Sequence, residues 1–230
     1  MTLKDKVVLI TGAAGNLGRA VVTAFANQGA TLVFADYSRD GLQAIPEEGH
    51  ALHVDLTSEE SVSNMVGQAI EACGRIDVLA NIAGGFTMGP MLHETPGKDW
   101  EFMMNLNARS VFYVSKAVIP HMLEQGSGSI VSVSARAARE GKGRMGPYCA
   151  SKAAVITLTE SMAAEHKYNN INVNCILPGT IDTPQNRDDM PDADFSKWVP
   201  PSALADVVTF LASDAARCVT GAAIPVYGQS

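Results

Sequence analysis

A doubly wound α/β fold, with one seven-stranded parallel sheet and helices on both faces, is predicted by three observations. Apolar runs of strand length alternate with helix-length segments along the whole chain. Those runs are apolar throughout rather than at every second residue, the pattern of strands buried on both faces. The first of them passes into a glycine-rich turn, Gly12-Ala13-Ala14-Gly15-Asn16-Leu17-Gly18, which opens a helix. With 230 residues, 47% hydrophobic and 18% charged, the chain has enough apolar material for a large core, and a disordered chain is excluded.

The elements follow in order. Val7 to Ile10 is the first strand, and its helix carries apolar positions at Leu17, Ala20, Val21, Ala24 and Phe25. Thr31 to Ala35 and Ala51 to Leu56 read as the next two strands. The segment from Ser58 to Cys73 reads as a helix, because Ser58 is a capping residue and Glu59 and Glu60 suit the positive end of the helix dipole. Strand Ile76 to Asn81 precedes a long helical region, Lys98 to Leu123. Strand Ser129 to Ser134 precedes a helix over Pro147 to Lys167, and strand Ile171 to Leu177 follows it. A helix from Ser202 to Ala212 and a strand from Ala222 to Tyr227 end the series. No repeat or linker interrupts it, so residues 1–230 are expected to form one domain; dividing the sheet would leave neither half a core. Residues 180–201 depart from the alternation, with four prolines and five aspartates. A loop of that length after a strand's carboxyl end is expected to act as a substrate lid.

The charge balance narrows the partners. Twenty-four acidic residues against seventeen Lys and Arg give a formal charge of −7, with no basic run, which disfavours nucleic acid. The chain has no apolar run long enough for a signal peptide or membrane span. Cys73, Cys149, Cys175 and Cys218 are dispersed, and neither they nor the five histidines have metal-ligand spacing. A cytoplasmic protein without a metal is expected. Met88, Met91, Met103, Met104 and Met145 are read as packing residues.

Two motifs carry chemistry. In the glycine turn, Gly12, Gly15 and Gly18 let the backbone turn sharply and approach a pyrophosphate, whose charge rests on the helix N-terminus beside Asn16 and Leu17. The competing reading is a tight turn with no ligand; its place in the first strand-to-helix connection favours a dinucleotide. Asp36 closes the second strand, where a carboxylate accepts hydrogen bonds from the adenosine ribose and repels a 2′-phosphate. NAD is therefore expected over NADP, although Arg39 nearby would offset part of that repulsion. The second motif is Tyr148-Cys149-Ala150-Ser151-Lys152. Residues four apart share a helix face, so phenol and ammonium point into one site, and the cation is expected to lower the phenol's pKa.

With these residues in place, the sequence resembles the short-chain dehydrogenase/reductase family, a Rossmann-type family, along almost its whole length. The matching residues are Thr11-Gly12 to Gly18, Asp55, Asn81-Ile82-Ala83-Gly84, Asn107, the Tyr148/Lys152 pair and Pro178-Gly179-Thr180. The resemblance implies that Asp55 and Leu56 line an adenine pocket and that Asn81, Ala83 and Gly84 border the cofactor. It places Pro178, Gly179, Ile181 and Thr183 beside the nicotinamide, gives Lys152 a second role on the ribose, and assigns Asn107 to a proton relay with Tyr148 and Lys152. It also implies a homodimer or homotetramer paired through Lys98–Leu123 and Pro147–Lys167.

One departure stands out. The family's serine, thirteen positions before the tyrosine, falls on Ala135. Ser134 is adjacent, but successive strand side chains face opposite ways, so it is expected to point out of the site unless the following loop holds an insertion. A missing serine, residues 135–138, the GxxGxxG spacing, Leu177 to Pro184 with Asn186-Arg187, and Met190 to Trp198 are similar to the quinonoid dihydropteridine reductase branch of the family. The expected activity is hydride transfer between NAD(H) and a small molecule, either a carbonyl/alcohol or a quinonoid, dihydropterin-like ring. A generic alcohol dehydrogenase or ketoreductase and a non-catalytic dinucleotide sensor are the alternatives.

Overall fold

The computed structural model describes residues 3–229. In chain order the strands are β1 (Val7–Thr11), β2 (Thr31–Asp36), β3 (His50–His53), β4 (Val78–Asn81), β5 (Gly128–Val133), β6 (Ile171–Pro178) and β7 (Ala223–Val226). All pair in parallel in one sheet of order β3-β2-β1-β4-β5-β6-β7. The order reverses between β1 and β4, so a crevice opens at the carboxyl ends of those two strands.

The helices are α1 (Asn16–Asn27), α2 (Arg39–Gln43), α3 (Glu59–Cys73), α4 (Gly97–Met103), α5 (Ser110–Gln125), α6 (Gly146–His166), α7 (Pro184–Asp189) and α8 (Pro201–Ala212). Two cores result, one on each face of the sheet. Val21, Val22 and Phe25 of α1 pack with Leu204, Val208 and Leu211 of α8 on one face. Val62 and Met65 of α3, Val114 and Val118 of α5, and Met162 of α6 fill the other. Strand residues alternate between the two clusters, Val8 and Ile10 in the first and Val7 and Leu9 in the second, which explains why the strands read as continuously apolar.

Some boundaries differ from the sequence expectation. β3 stops at His53 because β2, its one neighbour, ends opposite at Asp36; residues 54–56 leave the sheet for the crevice. β4 begins at Val78 rather than Ile76, although the Asp77 backbone is bonded to Val7 and Ser129 on either side, and the Asp77 side chain acts as a clamp. Its carboxylate accepts the Val7 N–H at 2.9 Å and the Arg75 guanidinium at 2.6 and 3.0 Å. Ser58 caps α3 as expected, accepting the Ser61 N–H. The expected long helix after β4 is continuous but widens to π geometry over Met104–Arg109. Residues 180–201 are ordered: Ile181 bridges Val199, Thr183 caps α7, and the Arg187 fork holds the Asp182 carboxylate at 2.6 and 2.7 Å.

Candidate active site

The crevice is a cleft of about 660 Å³, within the usual range for a small-molecule site. Gly12, Gly15, Asn16, Leu17 and Gly18 form one wall, Asp36 closes one end, and Asp55, Leu56, Ala83 and Gly84 complete the lining. The glycine turn is built for close approach. Gly12 has φ +67°, and a Cβ there would lie 2.6 Å from the Ala83 Cα; a Cβ on Gly18 would lie 2.0 Å from the Gly12 carbonyl oxygen. Gly15 caps α1 through its backbone alone, and no acidic residue occupies the first turn. The positive end of α1 therefore faces the cleft unopposed, which fits a pyrophosphate.

At the far end of that wall, Asp36 holds the turn in place. One carboxylate oxygen accepts the Ala14 N–H at 3.0 Å and the other the Ser38 N–H at 2.9 Å. Arg19 escaped the sequence reading. Its guanidinium donates to the carbonyls of Ala14, Gly41 and Ala44 at 3.0–3.2 Å, strapping the glycine turn to α2. Tyr37 lines the same end and meets the His53 ring at 5.6 Å; its position directly after Asp36 was the only available signal. The Asp55 carboxylate is held below the usual range by hydrogen bonds from the Thr57 hydroxyl and amide.

Lys152 and Asn107 converge behind Gly84 of the cleft wall, and Tyr148 lies one helical turn before Lys152 on α6. Lys152, 4% exposed, donates to the Val133 carbonyl at 2.9 Å. A Cβ on Gly84 would lie 2.9 Å from both the Lys152 Nζ and the Asn107 Oδ1, so only glycine lets ammonium, carboxamide and cleft wall converge. Asn107 is fully buried: its Oδ1 accepts the Gly85 N–H at 2.9 Å, and its Nδ2 donates to the Gly85 carbonyl and the Ser151 Oγ. The Ser151 hydroxyl in turn donates to the Tyr148 carbonyl at 2.8 Å, so Asn107 is linked to the helical turn carrying Tyr148 and Lys152. The π segment delivers Asn107, and not Asn105, to this position.

The expected lowering of the Tyr148 pKa is not found. Burial pushes the phenol up to about 12, and burial draws the Lys152 ammonium down to about 8. Desolvation dominates and the cation gives no offset: the ammonium is held at the Val133 carbonyl and the phenol lies against the Phe86 ring. The Asn81 carboxamide donates to Ser132 at 3.2 Å, and Asn81 lies outside the cleft lining. Pro178, Gly179, Ile181 and Thr183 lie at and beyond the carboxyl end of β6, outside the cleft lining. Of the methionines, Met103 is buried, but Met88 and Met91 are 60% and 61% exposed and are not packing residues.

Fold and cleft together define an NAD(P)-dependent oxidoreductase of the dinucleotide-binding α/β class. The short chain dehydrogenase family model matches residues 6–194, and the chain belongs to that family. A 3-oxoacyl-(acyl-carrier-protein) reductase of Thermotoga maritima is 35% identical, covering 99% of this chain and 98% of its own length. A meso-2,3-butanediol dehydrogenase of Serratia marcescens is 33% identical over 99% of this chain and 95% of its own. Among solved structures, an NAD+-bound xylitol dehydrogenase superposes with a TM-score of 0.91 at 27% identity, covering 99% of this chain and 100% of its own. Among the described residues no helix is long and apolar enough to cross a membrane.

Proposed function

We propose that this protein transfers a hydride between NAD(H) and a small carbonyl/alcohol or quinonoid substrate, with Tyr148, Lys152 and Asn107 as its proton-handling set. The observation that carries the reading is the buried Lys152 beside Gly84 and Asn107, one helical turn from Tyr148. A buried ammonium is costly, and Gly84 is the residue that leaves room for it at the cleft wall.

The bound nicotinamide dinucleotide would supply or accept the hydride at its C4. Gly12, Gly15, Asn16, Leu17 and Gly18 would hold its pyrophosphate against α1, and Asp36 its adenosine ribose, which favours NAD over NADP. Asp55 and Leu56 would border the adenine. Ala83, Gly84 and the Asn81 backbone would border the middle of the cofactor, and Lys152 the second ribose. Pro178, Gly179, Ile181 and Thr183 would flank the nicotinamide, with residues 180–201 as the lid. Tyr148 would give or take the substrate proton, with the buried Lys152 ammonium one helical turn away.

A missing serine would bear on the substrate. Ser134 donates into the α6 backbone, which supports reading Ala135, thirteen positions before Tyr148, as the position of the family's serine. A substrate oxygen then lacks one donor, a loss of about 10²–10³ in rate where such a donor is needed. This supports an activated substrate, such as a vicinal diketone or a quinonoid ring of the dihydropterin type, over a plain ketone. The four free cysteines suit a reducing cytoplasm. Exposed Trp100 on α4 and Phe112 and Leu123 on α5 suit a homodimer or homotetramer. A single domain over 1–230 is part of the same reading. NADH and NADPH consumption with quinonoid dihydropterin, diketones and simple ketones tests it; binding of dinucleotide without turnover on any of them would favour the sensor.

A further inference from the structure

We infer that Phe86 is a specificity-determining residue of this site, forming an aromatic wall that selects a flat conjugated ring over a small aliphatic carbonyl; the inference rests on the oxidoreductase reading above. The Phe86 and Tyr148 rings meet edge to face, with centroids 4.9 Å apart and planes at 83°. Even so, Phe86 is 49% exposed. It touches the proposed proton donor and still presents open aromatic surface, only two residues beyond Gly84 of the cleft wall.

The backbone on both sides of the ring is hydrogen-bonded. Gly85, immediately before it, has both main-chain groups bound by the Asn107 carboxamide. A Cβ on Gly85 would lie 2.6 Å from Leu106, so the chain is pressed against the π segment there. Three residues after Phe86, Gly89 is fixed in the same two-sided way. Its N–H donates to the Arg144 carbonyl at 2.9 Å, and the Arg144 Nε donates to its carbonyl at 3.1 Å. Arg144 adopts φ +64°, a left-handed conformation uncommon for arginine that persists where its surroundings enforce it. Two anchors thus bracket a span that presents Phe86 and Met88, with Met91 and Leu92 just beyond, all half-exposed or more.

Apolar side chains open to solvent beside a catalytic candidate mark a surface made for an apolar ligand. Aromatic pairs gain from offset stacking or edge-to-face contact beyond the area they bury, and an aliphatic carbonyl cannot collect that gain. A planar ring placed with its carbonyl at Tyr148 would complete an aromatic cluster with Phe86.

The test uses two vicinal diketones, 1-phenyl-1,2-propanedione and 2,3-butanedione, which share the reacting group and differ in the ring. Calorimetric titration of the NAD+-loaded full chain measures affinity without reduction, because the oxidised cofactor carries no hydride to give. The phenyl compound should bind more tightly. Phe86→Ala and Phe86→Leu should each reduce that preference about 3- to 10-fold, whereas Phe86→Trp keeps it. Equal affinity for the two diketones, no binding of either, or a preference unchanged in Phe86→Ala or Phe86→Leu overturns the inference. Loss of NADH turnover on every substrate would sink the oxidoreductase reading and leave this ratio intact. If NAD+ itself fails to bind, the cofactor assignment falls, and titration of the free protein reads the same ratio.

Discussion

The Ser134 hydroxyl donates to the Lys152 main-chain carbonyl at 2.7 Å, tying the end of β5 to the backbone of α6 rather than to the reaction site. The bond is buried, with Ser134 2% exposed. It gives Ser134 a structural partner on the helix that carries Tyr148 and Lys152, and Ala135 follows it in extended backbone.

Two substitutions separate these positions. Ser134→Ala should cost about 1–3 kcal/mol of stability, since a buried carbonyl loses its donor, while kcat at saturating substrate stays within a few-fold. Ala135→Ser should raise the rate with an unactivated ketone by about tenfold or more, by restoring a donor to the substrate oxygen. Thermal unfolding and steady-state kinetics of the two variants check both. A large kcat loss in Ser134→Ala with normal stability would make Ser134 the functional serine.

The cofactor end predicts a selectivity change. Asp36→Ala should narrow the preference for NADH over NADPH, measured as the ratio of dissociation constants by fluorescence titration, because the carboxylate that repels a 2′-phosphate is gone. NADPH binding more tightly than NADH to the unmodified protein would contradict the assignment and turn attention to Arg39, which is exposed beside it.

Arg19 should behave as a positioning residue. Arg19→Ala should raise the NADH dissociation constant about 5- to 30-fold, since hydrogen bonds worth roughly 1–2 kcal/mol organise the turn before binding. Arg19→Lys should not restore it, because an ammonium cannot span three carbonyls as the planar fork does. Rescue by lysine would mean that only the charge matters.

The fold and most of the cleft were legible because they rest on local rules. Ser58 announces a helix start by its chemistry, Gly12 to Gly18 a close approach by lacking side chains, and Asp36 a place on the cleft by ending a strand. What was illegible depends on residues distant in sequence. Nothing local to Arg19 reveals carbonyls 22 and 25 residues away. The outward appearance of Asn81 as a cofactor residue gave no hint of Ser132, 51 positions on. The Tyr148 pKa went the wrong way because helical spacing gives direction but not burial, and burial decides the sign.

Burial of Lys152 also makes a pH prediction. Its folded pKa of about 8 lies below the ordinary 10.5. Between those values the unfolded chain holds a proton that the folded chain has released, so this group makes stability rise with pH across that window. Below about 8 its destabilisation is present in full. Melting curves of wild type and Lys152→Met should therefore converge or cross as pH rises from 7 to 10, a relative gain of about 1–3 kcal/mol for the wild type. Tyr148, common to both proteins, cancels in the comparison. Parallel curves would mean that the ammonium carries no burial cost.

The measurement closest to the central claim is NADH oxidation by wild type and Tyr148→Phe with one diketone both proteins can bind, alongside the NADH dissociation constant of each. The account predicts that Tyr148→Phe turns over at least about 10²–10⁴-fold more slowly, with NADH affinity within a few-fold of wild type. Equal rates in the two proteins would contradict it, because the phenol would then supply no proton.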